Sequence, residues 1–365
     1  MSEEMSVQRC PDLETATDPD VTLDDYLSRW VVDSAGRHDV ALVVATIVAA
    51  TIELADLLAN GCDSRPDGTD STTTSRNSDH PTRLDRTAHQ LFVAALRVAP
   101  VRSVCCPATR DPLLLDANAS LAVAIDPIDG ASKVSTNAPV GTIFAVVPAS
   151  PDPEEPAATF LRRGSAQLAA GFVMYGAATI LVLTVGNGTA TFVLDRVQGR
   201  HLLIRDNVRI PEGTHEFAID ASNYRHWDQE LRAFVDDLIA GASGPRGADF
   251  TMWWMAALVA DAYRILIGGG IFLYPGDDRP GCSDGHVRLI YGANPIAMLI
   301  EQANGTATDG EQRILDKLPR DLHEQTPVVF GSTDKVAQVA RYRAQPAFSG
   351  ERSPLFSRRG VFRSG

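Results

Sequence analysis

The sequence of 365 residues predicts a mixed α/β fold with two sub-domains, and three observations indicate it. Helical patterns dominate the first hundred residues. Short apolar runs bounded by Gly, Pro and Asp follow between residues 121 and 204, and such runs are typical of strands. Helical and strand patterns then alternate after about residue 206. Because 44% of the residues are hydrophobic and only 22% are charged, the chain has enough apolar surface to form a core.

The first part of the chain predicts three helices. One begins near Thr22, and a longer one over 40–59 is capped by Asp39 and stopped by Asn60-Gly61. This second helix is apolar nearly all round, so we expect it to lie between layers or at a subunit contact. The third helix covers 84–98.

Strand patterns then follow one another without intervening helices, which favours one large mixed or antiparallel sheet. They cover 121–125, 142–147, 179–185, 190–194 and 202–204. A second set of helices and strands follows and indicates a second layered unit. Its helices are expected at 228–240, 253–268 and 295–304, and its strands at 270–274, 287–291 and 327–331.

These patterns divide the chain into four parts. We expect an irregular lead-in over 1–21, an N-terminal domain over 22–205, a C-terminal domain over 206–340 and a basic tail over 341–365. Inside the first domain, the polar segment 62–81 has no hydrophobic period and is interpreted as a mobile loop. The tail has six arginines and one glutamate, which favours a solvated end, with a docking role in an oligomer as the alternative.

The charge balance excludes some classes of partner. The chain has 33 Lys and Arg against 46 Asp and Glu, a net charge of −13, so we expect no nucleic-acid binding, which needs a basic surface. A phosphorylated metabolite stays possible because a metal or a few cations can hold it. The longest apolar stretch, 40–52, is shorter than the roughly 20 residues of a membrane span, so no membrane contact is expected.

Targeting and cysteine patterns point to the cytoplasm. The acidic start of the chain lacks the basic and apolar layout of a secretion signal. Five cysteines show neither a disulfide framework nor a metal-ligand spacing. Cys105 and Cys106 are expected as reduced core residues rather than nucleophiles, because no histidine or basic partner is near them in sequence.

The stretch Asp126-Pro127-Ile128-Asp129-Gly130 is the strongest indication of chemistry. A strand delivers two carboxylates, three residues apart, to a tight turn that also exposes the backbone N–H groups of 130–132. Mg²⁺ prefers carboxylate and phosphate oxygens, and the Ile128 carbonyl between the two aspartates adds a further oxygen. The alternative is an ordinary turn at a strand end, stabilised by an aspartate side chain.

At this point the sequence resembles the class I fructose-1,6-bisphosphatase family, and its proteobacterial branch in particular. The resemblance is carried by AIDPIDGASKVSTNAPVGTIFAV, FAIDASNYRHWD, GGIFLYPGDDRPG, VRLIYGANPIA and SPLFSRRGVFR, in this order. It implies a five-layer α-β-α-β-α sandwich and a homotetramer. It also implies Mg²⁺-dependent hydrolysis of the 1-phosphate of fructose 1,6-bisphosphate, which yields fructose 6-phosphate and phosphate.

The resemblance also implies roles for individual residues. The metal ligands would be Asp126, Asp129 and the carbonyl of Ile128, and Asp85 and Asp129 would act in catalysis. Substrate would be bound by Asp129 itself and by Gly130, Ala131, Ser132, Asp220, Tyr274, His286 and Arg288. Of these, Ala131 stands where the family has serine, His286 where it has a basic residue, and Asp220 where it has asparagine.

Other positions of the family motifs have lost their charge. Two metal-binding glutamates fall on Pro107 and Ala108, a third on Gly292, and the acid that helps to activate water falls on Gln90. An arginine that grips phosphate in the neighbouring subunit falls on Trp253. We therefore expect one weakly bound Mg²⁺ ion on Asp126 and Asp129, with most of the cage of a second ion missing.

Two functions remain open from the sequence. The first is a fructose-1,6-bisphosphatase with weakened activity. The second is a catalytically lapsed paralogue that binds a sugar phosphate or regulates an active partner subunit. A replacement carboxylate in the site would favour activity, and Asp111, Asp116 and Asp220 are the candidates by sequence. The sequence does not distinguish fructose from sedoheptulose bisphosphate as the substrate.

Overall fold

The structure is a computed structural model that describes residues 20–32, 34–61, 83–150 and 156–344. Most of the expected lead-in, the expected loop 62–81 and the tail beyond residue 344 lie outside these ranges.

The described chain contains seven α-helices. The first three precede the main sheet, and the other four belong to the second half of the chain. They are α1 (Leu23–Val31), α2 (Ala35–Ala59), α3 (Arg83–Leu96), α4 (Gln229–Ile239), α5 (Leu258–Gly268), α6 (Asn294–Gln302) and α7 (Thr333–Ala344).

The strands follow the same division. The first half contributes β1 (Val101–Cys105), β2 (Leu113–Leu114), β3 (Leu121–Asp129), β4 (Val140–Pro148), β5 (Ala169–Tyr175), β6 (Thr179–Thr184), β7 (Thr189–Asp195) and β8 (Arg200–Arg205). The second half contributes β9 (Glu216–Ile219), β10 (Thr251–Trp253), β11 (Ile271–Tyr274), β12 (Val287–Arg288), β13 (Gly305–Thr308), β14 (Gln325–Thr326) and β15 (Val328–Ser332).

Two sheets organise the molecule. The first has eight strands in the order β2-β1-β3-β4-β5-β6-β7-β8, antiparallel except for the parallel pair β1 and β3. The second has five strands in the order β10-β9-β11-β15-β13. The strands β12 and β14 form a separate antiparallel pair. The large, mostly antiparallel sheet expected from the run of strand patterns is confirmed.

The layers alternate as α-β-α-β-α. Helices α1 to α3 cover one face of the first sheet, where Val44, Phe92 and Phe144 belong to one apolar cluster. Helices α5 and α6 lie between the two sheets, and their buried residues share a cluster with Phe172 of β5. Helices α4 and α7 cover the outer face of the second sheet, where Phe234 contributes to a further cluster. The expected five-layer sandwich is confirmed.

Side chains that alternate between the two faces of each strand allow one sheet to pack against helices on both sides. In β11, Ile271 and Leu273 face the outer helices α4 and α7, whereas Phe272 faces the middle layer. Each strand of a buried sheet is therefore apolar on both sides, as successive side chains point to opposite faces. This is why the strand patterns appear as continuous apolar runs.

The long apolar helix α2 begins earlier than expected. It starts at Ala35, so Asp39 lies inside the helix and does not cap it, while Asn60 ends it as expected. Its segment Gly36–Ala59 has 24 residues and is long and apolar enough to cross a membrane, so the length argument made from 40–52 is wrong; 56% of its most apolar part is buried inside the fold. Because α2 packs on α1, α3 and the first sheet, its apolar side chains form part of the core.

Several expected boundaries are wrong in the second half. The helix expected from residue 253 begins only at Leu258, because Trp253 ends β10 (Thr251–Trp253) and Ala256 adopts a positive φ of 57°. The expected strand 287–291 ends at Arg288 and continues as a π-helical turn over Leu289–Ala293. The start of the expected tail, 341–344, belongs to α7.

Candidate active site

The end of β3 presents two aspartates on an irregular turn. Strand pairing between β3 and β4 shifts register between Asp126 and Asp129, so the chain bulges between the two carboxylates. The Thr142 hydroxyl of β4 donates a hydrogen bond of 2.8 Å to the carbonyl of Pro127. This buried contact holds the bulge against the sheet, so both side chains leave the same strand end.

Asp126 has charged neighbours of both signs. Burial, together with the neighbouring Asp129 and Asp85, raises the pKa of its carboxyl to about 7, while Arg288 opposes the rise. The structure thus brings Asp85 of α3, Asp126 of β3 and Arg288 of β12 into one neighbourhood. A carboxyl with this pKa is poorly compensated by the protein alone.

Asp129 is held by the start of α5. One of its oxygens accepts a hydrogen bond of 3.3 Å from the backbone N–H of Val259, and the Leu258 N–H also interacts with it. Burial raises the pKa of Asp129, while Lys133 and these backbone groups oppose the rise. The carboxylate therefore joins the first sheet to the middle helical layer.

This donor set fits a divalent cation. Asp126 and Asp129 supply two oxygens, the Ile128 carbonyl lies between them in the chain, and Asp85 adds negative charge nearby. Crowded carboxylates that raise one another's pKa are stabilised when a cation replaces the missing positive charge. Hard cations such as Mg²⁺ take such oxygen ligands and complete their shell with water or substrate oxygens.

The turn after β3 has a conformation that exposes backbone N–H groups. Gly130 has a positive φ of 83°, and the chain then enters a 3₁₀ turn over Ala131–Thr136. The side chain of Ser132 is exposed, while Ala131 is half-buried. A glycine is favoured at such a φ because a Cβ atom is strained there.

A second group of predicted residues lies around Tyr274. The His286 ring stacks on the Tyr274 ring with centroids 4.8 Å apart, and the charge of Asp220 acts on Tyr274. Burial raises the pKa of Tyr274. The carboxylate of Asp220 accepts hydrogen bonds from the N–H and hydroxyl of Ser222 and from the Asn223 amide. Asp220 thus has partners within its own turn.

The positions that lack the family's carboxylates differ in burial. Gln90 and Ala108 are exposed, Pro107 is half-buried, and Gly292 is buried in the π-helical turn. The proposed replacements Asp111 and Asp116 are exposed. Trp253 is 45% exposed, and the Arg264 guanidinium lies 5.9 Å from the centroid of its ring.

The two adjacent cysteines have partners that the sequence did not reveal. The Cys106 sulfur lies 3.2 Å from Nδ1 of His89, which corrects the expectation that no histidine is near. The Cys105 sulfur lies 3.0 Å from the Tyr291 hydroxyl. Burial raises the pKa of Cys105 to about 11 and also raises that of Cys106, so both remain thiols at neutral pH.

Sequence reasoning missed the start of α5 and Lys133 as parts of the site. The backbone N–H of Val259 holds Asp129, the proposed metal ligand, and no side-chain pattern in the sequence indicates such a backbone contact. Lys133 lies within the quoted motif, three residues after Gly130, and a positive side chain so close to two aspartates was a usable signal.

Sequence profiles of a known family match most of the chain. The profile described as fructose-1-6-bisphosphatase, N-terminal domain, matches residues 41–206. The profile of the C-terminal domain of the same family matches residues 210–344.

Relatives that align with this chain over nearly their whole length carry the same family name. The chain is 45% identical over 346 residues to fructose-1,6-bisphosphatase class 1 of Rhizobium meliloti, covering 94% of this chain and 99% of the relative. It is 44% identical over 346 residues to the protein of the same name from Sinorhizobium medicae, covering 94% and 99%. The crystal structure of Leishmania major fructose-1,6-bisphosphatase in holo form superposes with a TM-score of 0.80 at 26% identity, covering 90% of this chain and all of that chain.

Proposed function

The chain belongs to the class 1 fructose-1,6-bisphosphatase family, and from this we propose that it hydrolyses the 1-phosphate of fructose 1,6-bisphosphate. The products are fructose 6-phosphate and phosphate. The observation that carries the proposal is the pair Asp126 and Asp129 at the end of β3. The charges of Asp85 and Arg288 both act on the Asp126 carboxyl group.

The family uses divalent metal ions, and we propose one Mg²⁺ ion held by Asp126, Asp129 and the carbonyl of Ile128. When bound, such an ion lowers the pKa of water and withdraws charge from a phosphoryl group. The protein's own contribution is the placement of the carboxylates. Asp129 is fixed by the backbone of α5, and Asp126 is fixed by the bulge of β3.

The remaining proposed residues bind the substrate. Arg288, on the strand β12, neutralises phosphoryl oxygens of the reacting group, because its guanidinium is always charged. The backbone N–H groups at Gly130, Ala131 and Ser132 donate to the same phosphate. Asp85 from α3 acts beside the reacting phosphate, where its charge already influences Asp126.

The group around Tyr274 suits the other end of the sugar bisphosphate. We propose that Tyr274 and His286 contact its second phosphate. Asp220 lies close enough to act on Tyr274 electrostatically, so it belongs to the same surface. A sugar hydroxyl is the suitable partner for Asp220, because a carboxylate repels phosphate.

A lapsed paralogue is the second candidate, and a specific observation favours it. Pro107, Ala108, Gly292 and Gln90 carry no charge at positions where the family's motifs carry acids. Such a protein would bind a sugar phosphate or regulate an active subunit without turnover. Of these two candidates, we place catalysis first because Asp85, Asp126, Asp129 and Arg288 are all present.

The test is phosphate release from fructose 1,6-bisphosphate by the purified chain, with Mg²⁺ and with Mn²⁺. Asp129→Asn is expected to abolish release. Asp195→Asn is the matched control, since Asp195 also accepts backbone hydrogen bonds at a strand end, from Val197 and Gln198. Metal-dependent release that Asp129→Asn leaves intact contradicts the mechanism. The absence of release, together with tight binding of fructose 1,6-bisphosphate, establishes the lapsed function instead.

Assembly and location follow the same family reasoning. Members of the family are oligomers that act on a sugar bisphosphate, and we propose a homotetramer in the cytoplasm. The apolar side chain of Leu42 on α2 is 45% exposed and that of Trp253 is equally exposed, so each offers an apolar contact for a second subunit.

A further inference from the structure

The loop between β11 and β12 brings together three side chains of different chemistry. Asp277, Cys282 and His286 each offer one potential ligand atom, and these atoms lie within 4.8 Å of one another. The loop lies beyond Tyr274, in the second half of the chain, whereas Asp126 and Asp129 lie on β3 of the first sheet. A carboxylate, a thiol and an imidazole are the ligand types that borderline metal ions prefer, rather than Mg²⁺.

The backbone of this loop is folded tightly around the three side chains. The N–H of Asp277 donates to the carbonyl of Cys282 at 3.0 Å, and the Gly285 N–H donates to the same carbonyl at 3.2 Å. Gly276 has no room for a side chain, since a Cβ atom would lie 2.3 Å from the Ser283 carbonyl oxygen. The ligand atoms are therefore brought together by the fold before any ion binds.

Each of the three side chains is in a suitable state. The Asp277 side chain is 1% exposed, and Arg279 donates to both of its oxygens, which lowers the pKa of Asp277 to about 2. The His286 Nε2 atom is buried without a hydrogen-bond partner and faces an Asp277 oxygen at 3.5 Å, too far for a well-formed hydrogen bond. Cys282 is a free, half-buried cysteine.

The separation of one pair of ligand atoms agrees with tetrahedral coordination. Metal–ligand bonds of roughly 2.0 to 2.3 Å place neighbouring ligand atoms roughly 3.3 to 3.6 Å apart. The Asp277 and His286 atoms already have this separation at 3.5 Å, so the thiol is the ligand that must approach. The Arg279 contact orients the carboxylate and the Tyr274 ring stacks on the imidazole, which are the supporting contacts that metal ligands usually have.

We propose that Asp277, Cys282 and His286 form a binding site for a borderline divalent metal ion such as Zn²⁺, separate from the Asp126 and Asp129 site. Three protein ligands leave a fourth coordination position open, as in zinc sites that accept water or an anion. The thiol must lose its proton on binding, so binding releases a proton to the buffer and strengthens as the pH rises.

Cobalt absorption tests the site without an activity measurement. Adding Co²⁺ to the purified full-length chain is expected to produce a thiolate-to-cobalt charge-transfer band that saturates at one equivalent. Cys282→Ser is expected to remove the band, whereas Cys105→Ser, which removes a buried thiol of the first sheet, keeps it. The double variant Asp126→Asn/Asp129→Asn is also expected to keep the band.

Zinc affinity provides the second measurement. Competition with a chromophoric chelator is expected to show at least tenfold weaker Zn²⁺ binding by His286→Gln than by the unaltered chain, with unchanged circular dichroism. A missing cobalt band in the unaltered chain overturns the proposal. So does a band that Cys282→Ser leaves in place, or Zn²⁺ affinity that His286→Gln does not change.

Discussion

Asp129 accepts a hydrogen bond from the backbone N–H of Val259 at 3.3 Å, and this contact joins the end of β3 to the first turn of α5. The N-cap of α5, Ala257, has no side chain that can satisfy these N–H groups. A carboxylate from the first sheet therefore serves as the cap of a helix in the middle layer. The proposed metal ligand and the packing of the two halves depend on the same side chain.

This double role separates two variants of Asp129. Asp129→Asn keeps an oxygen for the Val259 N–H, so we expect an unchanged fold and a loss of at least about 100-fold in phosphate release. Asp129→Ala also loses the cap, which costs about 1 kcal/mol of unfolding free energy. Urea unfolding and the phosphate assay measure both. Equal stability of the two variants contradicts the capping role, and normal turnover by Asp129→Asn contradicts the catalytic one.

Restoring the missing acids tests whether ligand loss limits turnover. The quadruple variant Gln90→Glu, Pro107→Glu, Ala108→Glu and Gly292→Glu is expected to raise metal affinity and Mg²⁺-dependent turnover non-additively, because metal ligands act as a unit. Isothermal titration with Mg²⁺ and the phosphate assay provide the measurements.

Gly292 is the difficult position in that variant. A Cβ atom there would lie 3.0 Å from a Val287 methyl group and 3.4 Å from one of Leu258, so the neighbours must move by a few tenths of an ångström. A triple variant that keeps Gly292 is therefore the control for folding. A quadruple variant that folds and binds metal but gains no turnover shifts the defect to Trp253 or Asp220.

A buried carboxyl far from the site predicts the pH dependence of stability. Burial raises the pKa of Asp236 to about 6 from 3.8, although the Tyr224 hydroxyl donates to both of its oxygens at 2.9 Å. Between these pH values the folded state binds more protons than the unfolded state, so this group makes stability fall as the pH rises from about 4 to about 6. Asp236→Asn is expected to remove that fall and to be more stable at pH 7, by on the order of 1 to 3 kcal/mol.

Urea unfolding of Asp236→Asn at pH 4.5 and pH 7 measures this effect, with Asp195→Asn as the control. An unfolding free energy of Asp236→Asn that falls between these pH values as steeply as that of the unaltered chain would falsify the assignment.

Thiol reactivity tests the environment of the adjacent cysteines. Because burial raises the pKa values of Cys105 and Cys106, both are expected to react with iodoacetamide at pH 8 at least tenfold more slowly than in urea. Mass spectrometry of the labelled peptides distinguishes them from Cys282. Rapid labelling of Cys106 in the folded chain would instead show that His89 withdraws its proton.

The proposed tetramer has a direct measurement. Light scattering at micromolar concentration is expected to give four times the 39.2 kDa of one chain. Leu42→Glu, which places a charge on an exposed apolar position of α2, is expected to lower that mass, and Val197→Glu on an exposed loop is the control. A mass of 39.2 kDa for the unaltered chain rejects the assembly.

The sequence alone determined the parts of the fold that depend on local patterns. The apolar runs of β3, β4, β6, β7 and β8 predicted a large sheet, because a strand buried on both faces needs continuous apolar side chains. The aspartates at the end of β3 predicted a cation site because two carboxylates three residues apart on one turn supply neighbouring oxygen ligands. The five-layer order came from the family resemblance, and the arrangement of the sheets confirms it.

Tertiary contacts decided what local patterns could not. The helical pattern predicted from residue 253 is wrong at its start, since Trp253 belongs to β10, which pairs with β9 as an edge strand. The helix α5 begins further on, where Asp129 accepts from the Val259 N–H. The pairing of Cys106 with His89 joins residues of two elements that are separate in the chain. The convergence of Asp277, Cys282 and His286 depends on how one loop folds back on itself. The hydrophobic periodicity of the sequence indicates which side chains are buried. The distances between side chains of different elements are set only when the layers pack together.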